Sequence, residues 1–198
     1  MDQARRAEQS RTTTETDIRL TLVLDGSGQA AIDSGIGFLD HMLHLLAVHS
    51  RMDIQLQASG DLEVDEHHSV EDIAICLGRC LREALGDKAG IRRYGEATIP
   101  MDEALVRVVL DISGRSSLFY GLEVPNERLG NLGRESVGEF FAALCREAGI
   151  NMHIDQIRGS NSHHIVEAAF KALARALRTA VSIDPTVQGA WSSKGNLD

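Results

Sequence analysis

The chain has few of the features that mark secreted, membrane-spanning or nucleic-acid-binding proteins. Its 198 residues include only three cysteines, Cys76, Cys80 and Cys145, and this odd number within apolar stretches argues against a disulfide framework. No apolar run reaches the ~18 residues that a membrane span needs. The first residues are not followed by the apolar segment of a secretory signal. We therefore expect a cytoplasmic protein with no membrane partner.

Positive charge is also scarce. Lysine and arginine total 20 against 29 aspartates and glutamates, which gives a net charge of −9. Because sequence-independent binding to a phosphate backbone depends on a cationic surface, no nucleic-acid partner is expected. The share of hydrophobic residues, 43%, is that of an ordinary soluble globular protein. The length suits two fused half-domains better than two ordinary domains.

A short stretch occurs twice in the chain at a constant offset of 96 residues. In each copy two adjacent histidines are followed by a glutamate and then by an apolar helical run. Eight matches in register indicate that one ancestral unit was duplicated. The matching pairs are His67/His163, His68/His164, Val70/Val166, Glu71/Glu167, Leu77/Leu173, Arg79/Arg175, Leu81/Leu177 and Arg82/Arg178.

The repeated residues form a set of metal donors. Residues three or four apart share a helix face, so a histidine of each pair can stand beside Glu71 or Glu167. Imidazole nitrogen with carboxylate oxygen at this spacing is how helices hold transition metals. Asp72 competes with Glu71 in the first copy, but the second copy has Ala168 there. Because adjacent histidines diverge by about 100° around the axis, we expect two metal ions to share the four histidines.

Periodicity predicts an α+β fold made of a duplicated half-domain. Each half, 11–90 and 91–183, is expected to contain a mixed or antiparallel sheet with two helices packed on one face. A polar tail, 1–10, precedes the halves and another, 184–198, follows them. The predicted helices are 35–49, 69–85, 135–149 and 164–182, and Gly86 is predicted to cap the C-terminal end of the second. The predicted strands are 11–24, 29–33 (returning as a hairpin), 52–58, 96–101, 104–111, 117–123 and 152–157.

Two further positions can supply metal ligands. His41 lies in a nearly apolar helix, where a polar side chain needs a partner. The corresponding turn of the second half contains Glu139, which is the metal-binding side chain there. His153, on a predicted strand, is the rival candidate, and the sequence leaves the choice open.

Several motifs together resemble the imidazoleglycerol-phosphate dehydratase family of histidine biosynthesis, over about residues 11–198. They are Gly35-Ile36-Gly37-Phe38-Leu39-Asp40-His41, Gly60-Asp61-Leu62 with His67-His68 and Glu71-Asp72, Pro100-Met101-Asp102-Glu103, Asp111-Ile112-Ser113-Gly114-Arg115, and Asn161-Ser162-His163-His164 with Phe170-Lys171-Ala172. The resemblance implies two Mn²⁺ ions per active site, with each site lying between subunits of an octahedral homo-oligomer, a 24-mer. It also implies loss of water from D-erythro-imidazole glycerol phosphate to give imidazole acetol phosphate.

The same resemblance implies roles for individual residues. Glu15 is the acid/base candidate, with Glu167 as its rival, and His49 lines the pocket. The implied metal ligands are His41, His67, His68, Glu71, Glu139, His163, His164 and Glu167, of which His41, His67 and Glu71 also line the substrate site. Arg93, Arg115, Ser193 and Lys194 are the implied phosphate contacts. The chain lacks the proline that the family usually places before the tail serines, and it has Glu139 where many members have histidine.

The ligand set suits this chemistry. An imidazole substrate can add a nitrogen donor to a metal shell, and a metal-bound imidazolate favours loss of the adjoining hydroxyl. Two other functions remain open on the residues alone: a dinuclear metallohydrolase, and a non-enzymatic oligomer whose subunits are held together by metal ions.

Overall fold

Ten strands and four helices make up the fold of the computed structural model, which describes residues 5–193 and Leu197. In chain order they are β1 (Arg6–Thr12), β2 (Thr16–Val23), β3 (Ala30–Asp33), α1 (Gly37–Ser50), β4 (Asp53–Gly60), α2 (His67–Leu85), β5 (Tyr94–Met101), β6 (Ala104–Asp111), β7 (Ser117–Gly121), β8 (Arg128–Leu129), β9 (Leu132–Gly133), α3 (Arg134–Ala148), β10 (Asn151–Arg158) and α4 (Ser162–Val181).

The two halves have the same sheet topology. The first sheet has the order β1-β2-β4-β3 and the second has the order β5-β6-β10-β7. In both sheets the first three strands pair antiparallel, and the last pair, β3 with β4 or β7 with β10, is parallel. The predicted α+β fold with a duplicated half-domain is therefore confirmed. The strands β8 and β9 form a separate small ribbon.

The helices lie on one face of each sheet and pack across the halves. Helix α2 packs on β1 and β2, while α4 packs on β5 and β6. Helix α1 also packs on α4, and α2 on α3, so the helical layer joins the two halves. Strand β2 has the burial alternation expected for a sheet with one covered face. A cluster of Phe140, Phe141 and Phe170, with ring centroids 5.1–5.8 Å apart, fills the core of the second half.

The start of the chain differs from the sequence-based prediction. Residues 6–10, predicted as a polar tail, belong to β1, which pairs with β2 from Arg6 to Thr12. The single strand predicted for 11–24 is two strands, because a turn interrupts it. The hydroxyl of Thr13 accepts hydrogen bonds from the backbone N–H groups of Glu15 and Thr16, which fixes that turn.

The predicted hairpin return at 29–33 is also wrong. Strand β3 pairs in parallel with β4 instead, because both edges of β2 are already occupied by β1 and β4. The Asp53 carboxylate accepts hydrogen bonds from the backbone N–H groups of Ser27, Gly28 and Gln29, which directs the loop toward β4. Burial raises the pKa of Asp53, but these backbone hydrogen bonds outweigh it and lower the pKa.

The helices begin and end near the predicted positions. Gly86 follows α2 with φ of 55°, as predicted for a glycine at the C-terminal cap. Helix α4 begins after Asn161, whose side chain accepts hydrogen bonds from the backbone N–H groups of His163 and His164. This cap fixes the first turn of α4, where two predicted metal ligands lie. None of the described helices is both long enough and apolar enough to cross a bilayer.

The C-terminal segment packs on the connection between the halves. The backbone N–H of Gly90 donates to the carbonyl of Gly189, and that of Asp184 donates to the carbonyl of Gly90. The buried Lys88 donates to the carbonyl of Leu197, 2.7 Å away. The segment is therefore tied down at both of its described ends.

Close packing of α2 on α3 depends on Gly78. A Cβ atom at this position would lie 2.7 Å from Cβ of Glu147 and 3.0 Å from the carbonyl oxygen of Leu144. We expect Gly78→Ala to lower the free energy of unfolding of the protein by about 1–3 kcal/mol, because the two helices must move apart. Urea unfolding at fixed protein concentration measures this. Gly37→Ala is the matched control: a Cβ there meets nothing within 4 Å, so stability should stay equal or rise. Equal stability of Gly78→Ala and the wild type would contradict the prediction.

Candidate active site

Helices α1 and α4 bring three predicted metal ligands together. Nε2 of His41 lies 3.2 Å from Oε2 of Glu167, and Nε2 of His163 lies 3.1 Å from the same oxygen. His163 and Glu167 are four residues apart on one face of α4, as the sequence predicted. His41 reaches them because α1 packs against α4. The ring of Phe38 meets that of His163 edge-on, with centroids 5.1 Å apart, and forms an apolar wall.

Lys171 fixes the Glu167 carboxylate from the other side. Its Nζ lies 2.6 Å from Oε1, so Oε2 alone faces the two histidines. Burial raises the pKa of Glu167, but hydrogen bonds from Lys171, His41 and His163 outweigh it and lower the pKa to about 2. The carboxylate is therefore ionised at neutral pH, as a metal ligand must be.

His49, on the last turn of α1, belongs to the same region. Burial lowers its pKa, and the positive charges of Lys171 and Arg175 lower it further. The imidazole is therefore neutral at neutral pH and can accept a proton or a hydrogen bond.

The first half contributes a second cluster at the start of α2. Nδ1 of His68 lies 3.0 Å from Oδ2 of Asp61 and 3.9 Å from Oε2 of Glu15. The hydrogen bond that Asp61 accepts from His68 is the largest cause that raises the pKa of His68, and the Glu15 carboxylate raises it further. The predicted acid/base residue thus lies beside a predicted metal ligand. The backbone N–H of His67 donates to Asp65 Oδ1, which fixes the same turn.

Glu71 and His164 have partners of their own. Oε1 of Glu71 accepts a hydrogen bond from Arg146, 3.0 Å away on α3. Nδ1 of His164 lies 2.7 Å from Oε2 of Glu103, in the turn between β5 and β6. The hydrogen bond from His164 is the largest cause that lowers the pKa of Glu103 to about 2.

The two rival positions for the last ligand lie in different surroundings. Glu139 is exposed on α3. His153 is exposed on β10, where its ring stacks on Phe119 with centroids 4.3 Å apart. Neither side chain joins the group formed by His41, His163 and Glu167.

The predicted phosphate contacts are only partly brought together. Arg93 donates through Nε and Nη2 to Asp111 and through Nη1 to the carbonyl of Trp191, which joins it to the C-terminal segment. The exposed Arg115 has no hydrogen-bond partner for its guanidinium among the described residues. Ser193 is exposed in the segment that follows Trp191, and Lys194 lies outside the described residues.

The donor chemistry of this site fits a transition metal. The ligand atoms of His41, His163 and Glu167 all lie within 4.8 Å of one another, and two imidazole nitrogens with one carboxylate oxygen suit Mn²⁺ or a similar ion. Within residues 5–193 and Leu197, no other group of three or more such donors converges in this way. The side chains of His41 and His163 are 45% and 48% exposed, so the open side of the group faces solvent.

Sequence reasoning did not assign roles to three residues that hold the ligands. Lys171 could have been found by its spacing, because it lies four residues after Glu167 on the same helix face. Asp61 lies 7 residues from His68 but outside its helix, and Glu103 lies 61 residues from His164, so no helix spacing rule connects either pair.

Replacing Lys171 by methionine should lower the free energy of unfolding by an amount that depends on pH. The pKa of Glu167 is lowered from an ordinary value of 4.5, so its ionisation stabilises the fold above pH 4.5 and that stabilisation is lost as pH falls toward 2. Without Lys171 the pKa of the buried carboxylate rises. We expect Lys171→Met to cost the metal-free protein about 2 kcal/mol at neutral pH, with the deficit shrinking below pH 4.5.

Urea unfolding of the metal-free protein across this pH range gives the measurement, and Lys171→Arg, which keeps the charge, is the control. A deficit that stays constant with pH would contradict the role given to Lys171.

Comparison with known proteins agrees with the geometry. The family model described as Imidazoleglycerol-phosphate dehydratase matches residues 34–177. A relative of that name from Syntrophomonas wolfei is 58% identical over 194 residues, covering 98% of each chain. Another from Moorella thermoacetica is 54% identical, covering 98% of this chain and 99% of the relative.

Solved structures of imidazoleglycerol-phosphate dehydratase agree as well. The structure from Staphylococcus aureus has a TM-score of 0.82 at 41% identity, covering 90% of this chain and 99% of that chain. The structure from Pyrococcus furiosus has a TM-score of 0.82 at 39% identity, covering 96% and 100%. The chain therefore belongs to the imidazoleglycerol-phosphate dehydratase family, the lyases of histidine biosynthesis.

Proposed function

We propose that this enzyme removes water from D-erythro-imidazole glycerol phosphate to give imidazole acetol phosphate, with two Mn²⁺ ions in each active site. The observation that carries the proposal is the convergence of His41, His163 and Glu167 from two helices onto one point, in a chain of this family. Such a group leaves room for a further nitrogen donor, which an imidazole ring supplies.

The two ions would be held by the eight predicted donors. His41, His163 and Glu167 form the group already in place. His67, His68 and Glu71, on the first turns of α2, and His164 and Glu139 supply the remainder. When bound, the metal ions act as Lewis acids that withdraw electron density from the imidazole ring of the substrate.

We also propose that each active site forms between copies of the chain in an octahedral 24-mer. Within one chain the α2 histidines do not join the group of His41, His163 and Glu167. The exposed histidines of that group open toward solvent, where donors from a neighbouring copy can approach. A closed symmetric assembly would bring the same two surfaces together at every interface.

Glu15 is the better candidate for moving the proton of the carbon adjacent to the departing hydroxyl. Glu167 is its rival, but Lys171 and two histidines hold that carboxylate ionised with a pKa of about 2, which makes it a weak base. Glu15 is exposed, and it lies beside His68 without such a network. The C–H and C–OH bonds break, water leaves, and the resulting enol becomes the ketone.

The phosphate would lie between Arg115 and the C-terminal segment. The guanidinium of Arg115, which has no partner within the described part of the chain, can form two parallel hydrogen bonds with phosphate oxygens. Arg93 donates to the carbonyl of Trp191. Ser193 and Lys194 follow Trp191 in the sequence. Binding of phosphate by Arg93 requires it to exchange its partners Asp111 and Trp191.

The purified enzyme should dehydrate imidazole glycerol phosphate only when metal is present. We expect chelation to abolish turnover and Mn²⁺ to restore it. Because His163→Ala and Glu167→Gln each remove a donor from the preformed group, each should lower kcat by about 10²-fold or more. Ketone formation measured after metal reconstitution, with bound Mn²⁺ counted in parallel, gives the result.

Arg107→Gln is the control variant, since that exposed arginine pairs only with the exposed Asp155 among the described residues and should leave turnover unchanged. A reconstituted wild-type enzyme that hydrolyses simple phosphate esters but leaves the imidazole substrate intact would overturn the proposal in favour of a metallohydrolase.

A further inference from the structure

Two histidines that occupy equivalent places in the duplicated helices have the same kind of partner. His68 on α2 and His164 on α4 each direct Nδ1 at a carboxylate from a neighbouring turn. The carboxylates come from positions that do not correspond in the duplication: Asp61 follows β4, whereas Glu103 joins β5 to β6. The two halves therefore reached the same arrangement from different sequence positions.

In the first half, close packing brings Asp61 to the helix. Gly60, the last residue of β4, lies directly against the hydroxyl of Ser69, so that no side chain fits between strand and helix. The backbone N–H of Asp61 donates to the carbonyl of Glu15, 3.1 Å away, which fixes the turn. The carboxylate then lies 3.0 Å from Nδ1 of His68.

In the second half, Glu103 uses its two oxygens for different purposes. Oε1 accepts hydrogen bonds from the backbone N–H groups of Ser160 and Asn161, at 3.1 and 2.7 Å, just before α4. Oε2 lies 2.7 Å from Nδ1 of His164. The close approach depends on Gly159, whose Cβ would lie 2.9 Å from that of Ala104 and whose φ is 140°.

An ionised carboxylate can only accept a hydrogen bond, so it fixes the proton of a neutral imidazole on Nδ1. The lone pair is then on Nε2, the nitrogen that can bind a metal. His41 and His163 differ, because their Nε2 atoms themselves contact Oε2 of Glu167, which is a predicted ligand oxygen. Among the described histidines, only His68 and His164 have a carboxylate within hydrogen-bond distance of Nδ1, so the tautomer argument applies to these two.

We propose that Asp61 and Glu103 are positioning residues that hold His68 and His164 as Nε2 metal donors. The inference rests on the proposed metal-dependent function and deepens it, because neither carboxylate belongs to the predicted ligand set. Asp102 is a neighbouring carboxylate, but it lies 3.6 Å from Nε2 of His164 and is 74% exposed. It does not share the position of Glu103 and has no such role.

The test measures Mn²⁺ affinity in the full-length assembly, by electron paramagnetic resonance of free Mn²⁺ during titration. Asp61→Ala removes the acceptor and should weaken Mn²⁺ binding by about 10–100-fold. Asp61→Asn keeps an oxygen that can accept from Nδ1, so it should recover most of that loss. This difference between the two variants is not expected from a merely structural role.

Glu103→Gln should behave differently from Asp61→Asn. The amide oxygen stays with the N–H groups of Ser160 and Asn161, so the NH₂ group turns to His164 and donates to Nδ1. The proton of that imidazole then moves to Nε2, and affinity should fall by about 10–100-fold although the fold is retained. Glu63→Gln and Asp102→Asn, in the same two turns, are the matched controls and should bind Mn²⁺ like the wild type.

Light scattering confirms that each variant keeps the wild-type assembly size before it is titrated. If Asp61→Ala does not assemble, the Mn²⁺ affinity of Glu103→Gln alone tests whether the carboxylates position the histidines. Wild-type affinity in the assembled Asp61→Ala or Glu103→Gln variants would overturn this inference alone, as would an equal loss in Asp61→Ala and Asp61→Asn. A wild-type protein that binds no Mn²⁺ would overturn the proposed function as well.

Discussion

The site depends on one carboxylate that serves several partners at once. One oxygen of Glu167, Oε2, contacts Nε2 of two histidines, and the other, Oε1, accepts a hydrogen bond from the ammonium group of Lys171. Because Glu167 is buried, its charge is tolerated only while these partners are in place. The same contacts join α1 to α4, so the packing of the helical layer and the geometry of the predicted metal-binding group depend on each other.

Duplication explains why the two halves share one topology, but the surroundings of their histidine pairs differ. The two sheets share strand order and strand direction, and each half places a histidine pair at the start of its second long helix. The surroundings of those pairs have nevertheless diverged. In the second half Glu167 gathers two histidines, whereas in the first half Glu71 accepts a hydrogen bond from Arg146. We infer that the halves supply different parts of one shared site.

The sequence predicted the helices well because their signals are local. Apolar periodicity, Gly86 after α2 and the i, i+4 spacing of His163 and Glu167 all depend on near neighbours. The sequence-based prediction was wrong or incomplete where packing between strands, loops and helices determines the structure. The pairing of β3 with β4 follows from occupied strand edges and from the loop bound by Asp53. The contacts of Asp61 and Glu103 likewise depend on how strand ends meet helices, which no periodicity encodes.

We propose that one active site needs donors from two copies of the chain. The most direct measurement is turnover in assemblies co-expressed from two inactive variants, His68→Ala and His163→Ala. If sites form between copies, random mixing leaves about a quarter of the sites with both clusters intact, so activity should return to about a quarter of the wild-type value. If the mixed assemblies form, bind Mn²⁺ and stay as inactive as either parent, the site lies within one chain and the claim is wrong.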